Sequence, residues 1–286
     1  MHKIALIGNG YWGNKILKYI PEFFDLKYIA DSKSNLNQIW KDKEVNSVII
    51  ATPIQTHYKL TKEALQNGKN VYVEKPITIH YEEALELKEL ANRNNLKLAV
   101  EYTQMFSPTI NKIKKLNLGK PKYIEASTKH LGRYMGFDVY WLLASHQLSV
   151  LDMFEDLDSF MFIFNNILYF RDLCSTGTII CENNNLKAKI DVSLDYYVKE
   201  FYMNFYYDNA FVKYEPSNPY PFSLIKYNKI KKALPDEMIC EKEFISIDES
   251  NNIRHSLEYF KDLIENITES NVDTAIKITK ILEKHS

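Results

Sequence analysis

The chain has 286 residues, a length that suits two domains sharing an interface better than one large domain. Hydrophobic residues make up 45% and charged residues 26%, the balance of a globular protein able to bury a core. The 36 basic and 37 acidic residues leave a formal net charge of -1, which argues against nucleic acid or an anionic membrane held by bulk electrostatics.

Cys174, Cys181 and Cys240 are odd in number and lack metal-ligand spacing, so neither a disulfide scaffold nor a metal site is expected. No apolar run reaches the roughly 18 residues of a membrane span. The apolar stretch after Lys3 runs directly into glycines rather than toward a signal-peptide cleavage site, so a cytoplasmic protein is expected.

Residues 3–7 form an apolar run that ends in GNGYWG at 8–13, the pattern of a buried strand, a glycine turn and a helix start. That helix would reach Ile20, where Pro21 helps end it. Residues 26–30 and 47–51 are the next strands, the latter closed by Thr52-Pro53. Residues 58–67 have helical spacing and are followed by Gly68, a plausible helix stop. Residues 70–73 are a fourth strand, 81–92 a strongly helical run, and 96–100 a fifth strand. Strands alternating with helices imply a parallel sheet whose ligand crevice lies at the strands' carboxyl ends.

Beyond about Gly119 the texture changes. Residues 122–129 read as a strand and 140–154 as a helix, and 160–227 are rich in Tyr, Phe, Ile and Val between turn clusters. That composition predicts a large, open, mostly antiparallel sheet. Residues 254–267 are amphipathic, with Leu257, Phe260, Ile264 and Ile267 on one stripe, and 272–282 are a last helix. The expected division is a dinucleotide-binding domain at 1–118 and an α+β substrate domain at 119–286.

GxGxxG is a weak signal alone, but here a strand precedes it and a helix follows. Gly8 permits the tight turn, Gly10 lets a pyrophosphate approach the backbone, and Gly13 lets helix and strand pack closely. Tyr11 and Trp12 lie within the same turn and join the expected cofactor contacts. Asp31 ends the second strand, where a carboxylate can accept the ribose hydroxyls of NAD and repel the 2′-phosphate of NADP. Lys33 is near enough to take that phosphate instead, so NAD is favoured and NADP stays open. Thr52, Pro53 and His57 sit at the third strand's end, next to the expected dinucleotide path; His57 reads equally as a partly exposed helix histidine. In Glu74-Lys75-Pro76 a lysine at a strand's carboxyl end points into the crevice, where it could bond a ribose and a substrate hydroxyl or carbonyl. A surface Lys–Glu pair is the alternative.

The runs GNGYWGN, VIIATPIQTHYKLTKEALQNGKNVYVEKP (48–76), YEEALELKELANRNNLKLAV (81–100) and HLGRYMGFDVYWLLASHQLSVLD (130–152) resemble the Gfo/Idh/MocA oxidoreductase family. Within it they resemble the branch acting on nucleotide-linked or related sugars in surface-polysaccharide pathways. The resemblance implies an NAD(P) Rossmann domain followed by an open-sheet domain whose face commonly mediates oligomerisation, here a dimer or tetramer. It makes Glu74 and Lys75 cofactor contacts, Lys75 the lysine beside the nicotinamide and reacting carbon, and His146 the acid/base histidine. Lys75, Tyr102, Arg133, Trp141 and His146 then line the sugar. Oxidising an alcohol by hydride loss needs a base and the reverse an acid, and histidine serves both.

Two departures stand out. Leu142 and Gln147 occupy positions where related sequences carry acids around the histidine, and Glu101-Tyr102 replaces a common Gly-His pair. A carboxylate at 142 would share a face with His146 and favour its charged form; leucine does not. The expected function is hydride transfer to or from a sugar or nucleotide-sugar carbon. The alternative is a dinucleotide-binding sensor or partner subunit with weak or no turnover.

Overall fold

The computed structural model describes residues 1–132, 135–216, 222–227, 240–245 and 251–285. It begins with β1 (His2–Ile7), α1 (Tyr11–Leu17), α2 (Ile20–Phe23), β2 (Phe24–Ala30), α3 (Asn37–Lys41), β3 (Val45–Ile50), α4 (His57–Gln66), β4 (Asn70–Glu74), α5 (Tyr81–Arg93) and β5 (Leu98–Glu101). The five strands pair in parallel in the order β2-β1-β3-β4-β5. Ile4–Ile7, Ser47–Ile50 and Val71–Glu74 are buried without interruption, as expected where helices cover both faces of a parallel sheet. The chain runs from β1 to β2 on one side and then crosses to β3 on the other. That reversal is the topological switch point, outside which α/β sheets bind their ligands.

The second unit holds α6 (Pro108–Lys114), β6 (Tyr123–Leu131), a π-helical turn (Tyr140–Ala144) continuing into α7 (Ser145–Asp152), and the strands β7 (Met161–Phe170), β8 (Leu173–Glu182), β9 (Lys187–Ser193), β10 (Asp195–Tyr206), β11 (Ala210–Tyr214), β12 (Phe222–Tyr227) and β13 (Cys240–Ile245). Ser107 caps α6 by accepting the Ile110 amide, with Pro108 in the first turn. The eight strands follow the order β13-β12-β11-β10-β6-β9-β8-β7. Every pairing is antiparallel except β6 with β9. The expected Rossmann sheet and large, mostly antiparallel sheet are both present.

Helices α8 (Asn252–Ile264) and α9 (Val272–Glu283) correct the expected domain division. The compact units are Met1–Phe106 with Asn251–Ser286, and Ser107–Ser250, so the chain leaves the first unit before residue 118 and returns to it at the end. The cause is the apolar stripe of α8. Ile253, Leu257, Phe260 and Leu263 are buried against Ile4, Leu6, Phe24, Ile49 and Tyr72, and the Phe260 ring stacks on Tyr72 at 5.1 Å. Each such side chain contributes about 1.5–3 kcal/mol on burial. Doubling an intervening loop costs only about 0.6 kcal/mol, so a long excursion does not prevent the return. The helix ends before Ile267, which is 67% exposed and not part of the stripe. At the sheet's edge the Asn271 side chain bonds both polar groups of Val100, donating to its carbonyl at 2.7 Å and accepting its amide at 2.9 Å. That contact and α9 close an edge strand that would otherwise be open.

The aromatic and apolar residues from 196 onward divide between core and surface. Met203, Phe205, Val212 and Tyr214 are core. Tyr196, Tyr197 and Val198 at the start of β10 are exposed, and further exposed apolar side chains lie on β7, at Met161, Ile163, Ile167 and Tyr169. Among the described residues no helix is long and apolar enough to cross a membrane.

Candidate functional site

The glycine turn joins β1 to α1. Gly8 has φ +109°, a conformation side chains resist, and a Cβ there would lie 2.3 Å from the Ala51 carbonyl oxygen. A Cβ on Gly13 would lie 1.9 Å from the Gly8 carbonyl oxygen, so glycine is what lets α1 begin against the loop. Gly10 is the opposite case: a Cβ there meets no protein atom within 4 Å. Its backbone faces open space at the start of α1, with no side chain capping the helix. Two glycines required by packing and one that leaves room fit a pyrophosphate cradle.

Neighbouring strand ends converge on this turn. The Gly8 amide donates to the Ala30 carbonyl at 2.8 Å, which sets Asp31 beside the loop, and the Ala51 amide donates to Ile7 at 2.8 Å, which does the same for Thr52. Asp31 Oδ1 accepts the Lys33 amide and the Ser34 hydroxyl, each at 2.9 Å. The Lys33 amide, then the Ser34 hydroxyl, hold its carboxyl below the usual range. The carboxylate is therefore a fixed, exposed acceptor, and Oδ2 accepts no hydrogen bond among the described residues. Tyr11 and Trp12 are exposed, with the Lys15 ammonium 4.3 and 4.5 Å from their ring centres. Thr52 is half-buried, its hydroxyl accepting from Thr56 at 2.7 Å, and Pro53 is exposed.

His57 is a correction. It is 1% exposed, and its ring nitrogens lie 2.8 Å from the Thr52 carbonyl and 2.7 Å from the Pro76 carbonyl. Neither nitrogen is left for a ligand. The ring instead ties the turn after β3 to the backbone just past Lys75, and burial pushes its pKa down.

Lys75 follows β4 directly and is half-buried; the Lys75–Pro76 peptide is cis. Burial pushes the Lys75 ammonium well below the ordinary lysine range, opposed by Glu74. Burial, then the nearby Glu101 charge, pushes the Glu74 carboxyl well up. Both neighbours are drawn toward their neutral forms. A surface Lys–Glu pair does not describe them.

Residues 18–102 match the family model described as "Oxidoreductase family, NAD-binding Rossmann fold", GFO_IDH_MocA. This domain belongs to the Gfo/Idh/MocA oxidoreductase family. It is an NAD-binding Rossmann fold. The matched stretch begins after the glycine turn, so the reading of Gly8, Gly10 and Gly13 rests on their geometry.

Among curated relatives of this Gfo/Idh/MocA domain, UDP-N-acetylglucosamine 3-dehydrogenase of Acidithiobacillus ferrooxidans is 33% identical over 109 residues, covering 37% of this chain and 35% of that protein. The NAD(+)-type scyllo-inositol 2-dehydrogenase of Bacillus subtilis is 30% identical over 99 residues, 33% of this chain and 29% of that one. The chain thus spans about a third of the length of the curated relatives it matches. The solved structure of the Acidithiobacillus enzyme superposes with a TM-score of 0.87 at 18% identity, covering 99% of this chain and 95% of that one. A 3-ketoreductase from Actinomadura kijaniata, solved with NADP, gives 0.79 at 12%, covering 99% and 96%. At those identities the likeness is one of fold.

The remaining expected site residues behave unequally. Tyr102, expected at the sugar, is 0% exposed at the end of β5; it is a core side chain, and its apolar surroundings push its pKa up. Arg133 lies outside the described residues. In the second unit Trp141 is 3% exposed inside the π-helical turn, which corrects its reading as a sugar contact, whereas His146 is half-buried in the first turn of α7. π-helical turns inside helices are frequent at functional positions. Gln147 is buried and donates to the Thr128 hydroxyl. What sequence reasoning missed is Glu101, whose strand ends one residue later than the apolar run does and carries this acid inside.

Proposed function

We propose that the chain is an NAD(P)-dependent oxidoreductase that transfers hydride to or from the secondary alcohol or ketone carbon of a cytoplasmic sugar or nucleotide sugar. The observation that carries this is Lys75, a half-buried lysine at a strand's carboxyl end, its ammonium destabilised by burial, in a sheet whose switch point holds the glycine turn. Gly8, Gly10, Tyr11, Trp12, Gly13, Asp31, Thr52, Pro53, Glu74 and Lys75 are the residues that would hold the dinucleotide. A bound nicotinamide supplies the two-electron acceptor or donor. Lys75 Nζ then exchanges the proton of the reacting hydroxyl, and His146 is the histidine that the family resemblance makes an acid/base group. Sugar specificity is supported by the names of the relatives, a UDP-N-acetylglucosamine dehydrogenase and an inositol dehydrogenase.

A second reading, a dinucleotide-binding sensor with little turnover, is favoured by Leu142 and Gln147. Neither supplies a carboxylate to His146, and Gln147 is committed to Thr128. Incubating the protein with NAD or NADH and a panel of sugars and nucleotide sugars, in both directions, separates the two. Nicotinamide absorbance should change with at least one nucleotide sugar. Tight NADH binding with no turnover on any of them would favour the sensor.

A further inference from the structure

Glu74 and Glu101 stand opposite each other in register at the ends of β4 and β5. Paired residues of adjacent strands project from the same face, about 4.8 Å apart. Both are enclosed, at 9% and 2% exposed. Tyr72, two residues before Glu74 and therefore on the same face, donates its hydroxyl to Glu101 Oε2. The Ser256 hydroxyl of α8 and that of Thr103 also favour the charged form of Glu101. Among the described residues Glu74 has no such set: its charged form is favoured by the Lys75 ammonium and backbone amide.

Two carboxylates side by side in an enclosed place do not both stay ionised. The donors decide which one keeps the proton, and they surround Glu101. Glu101 Oε1 adds a second indication, because it is buried and has no hydrogen-bond partner among the described residues. A carboxylate oxygen shut off from water needs a donor. The adjacent group in register able to become one is Glu74, when protonated.

We infer that Glu101 is a positioning residue: it keeps the neighbouring Glu74 protonated, so that Glu74 stands beside Lys75 as a neutral acid rather than a carboxylate. An ionised Glu74 would pair with the Lys75 ammonium and lock its proton in place. With Glu74 neutral, the lysine gives up and regains that proton readily. Among the described residues the charged or titratable groups around the pair are Tyr72, Lys75 and, beyond Lys75, the buried ring of His57. The link to catalysis rests on the proposed hydride transfer at Lys75, whereas the shared proton does not.

Carbon-13 NMR of the full chain, labelled at the glutamate carboxyl carbons, reads each protonation directly. One glutamate signal should remain protonated at about pH 7, and that signal should vanish in Glu74→Gln. In Glu101→Gln the Glu74 signal should titrate about 1–3 pH units lower, and any lysine-dependent arm of the kcat profile should move to higher pH as Glu74 ionises beside Lys75. Should Glu101→Gln fail to fold, Tyr72→Phe serves, because removing a donor from Glu101 moves part of the proton onto it and the two signals then share the titration. Finding every glutamate ionised by about pH 6, or an unchanged Glu74 titration in the folded variants, overturns the inference. A protonated Glu74 in a protein that turns over no sugar leaves the proton sharing standing and overturns the hydride-transfer reading instead.

Discussion

Gly10 and Gly13 lie three residues apart in one motif, yet the structure assigns them opposite liabilities, and alanine at each tests the cradle. At Gly13 the added methyl would sit 1.9 Å from the Gly8 carbonyl oxygen, a backbone atom that no rotamer change can move. Forcing atoms into a packed site costs about 1–3 kcal/mol and sometimes more, so Gly13→Ala should lower the stability of the protein in urea by at least the lower figure. At Gly10 the methyl meets nothing, and φ is -87°, which alanine adopts freely. Gly10→Ala should therefore leave stability unchanged or raise it by up to about 1 kcal/mol through the restricted unfolded chain. Its methyl would instead occupy space that a pyrophosphate needs. The same overpacking range, applied to the ligand, weakens binding about 5–150-fold. Unfolding followed by circular dichroism and NADH titration by fluorescence provide both numbers. If Gly10→Ala binds NADH as tightly as the parent, the turn does not hold the dinucleotide.

Asp31→Ala should narrow or reverse a preference for NADH over NADPH, because the fixed carboxylate that accepts from ribose and repels a 2′-phosphate is gone; a parent that clearly prefers NADPH contradicts this. Lys75→Met should abolish turnover with NADH affinity nearly intact, whereas His146→Ala should cost only the lower part of the roughly 10²–10⁴-fold that a positioned acid or base supplies, and equal losses in kcat would refute that ranking. Leu142→Asp should raise turnover by placing a carboxylate one helical turn from His146. Self-association is expected through the apolar surface of β7 and Tyr197, the latter 83% exposed. Light scattering should show a species larger than the 33.6 kDa chain, and Ile163→Lys with Tyr197→Lys should dissociate it.

The Rossmann unit was legible because its signals are local. An apolar strand, a glycine turn and an acid at the next strand's end each occupy a few consecutive residues, and their chemistry does not depend on distant chain. The same locality explains what could not be read. His57 sits at a strand's end like a ligand contact, but the Pro76 carbonyl that takes its second nitrogen is 19 residues away. Tyr102 and Trp141 carry polar atoms suited to a sugar, yet each is covered by structure that no short window contains. The last two helices look from composition like part of the second domain; only the surface offered by Tyr72, Phe24 and their neighbours decides where Phe260 is buried.

Glu101 shows the limit most clearly. Read along the chain it is an acid after an apolar run, the usual mark of a strand reaching solvent. Read across the sheet it faces another buried acid, and its charge is held by Tyr72 on β4 and Ser256 on α8. Whether such a group is a solvated end or an enclosed half of a proton-sharing pair depends on strand register and on a helix contributed from about 150 residues further on. Residue type fixes only that it can hold a proton. The packing around it determines which of two neighbours does, and through that neighbour whether a carboxylate or a neutral acid stands beside Lys75.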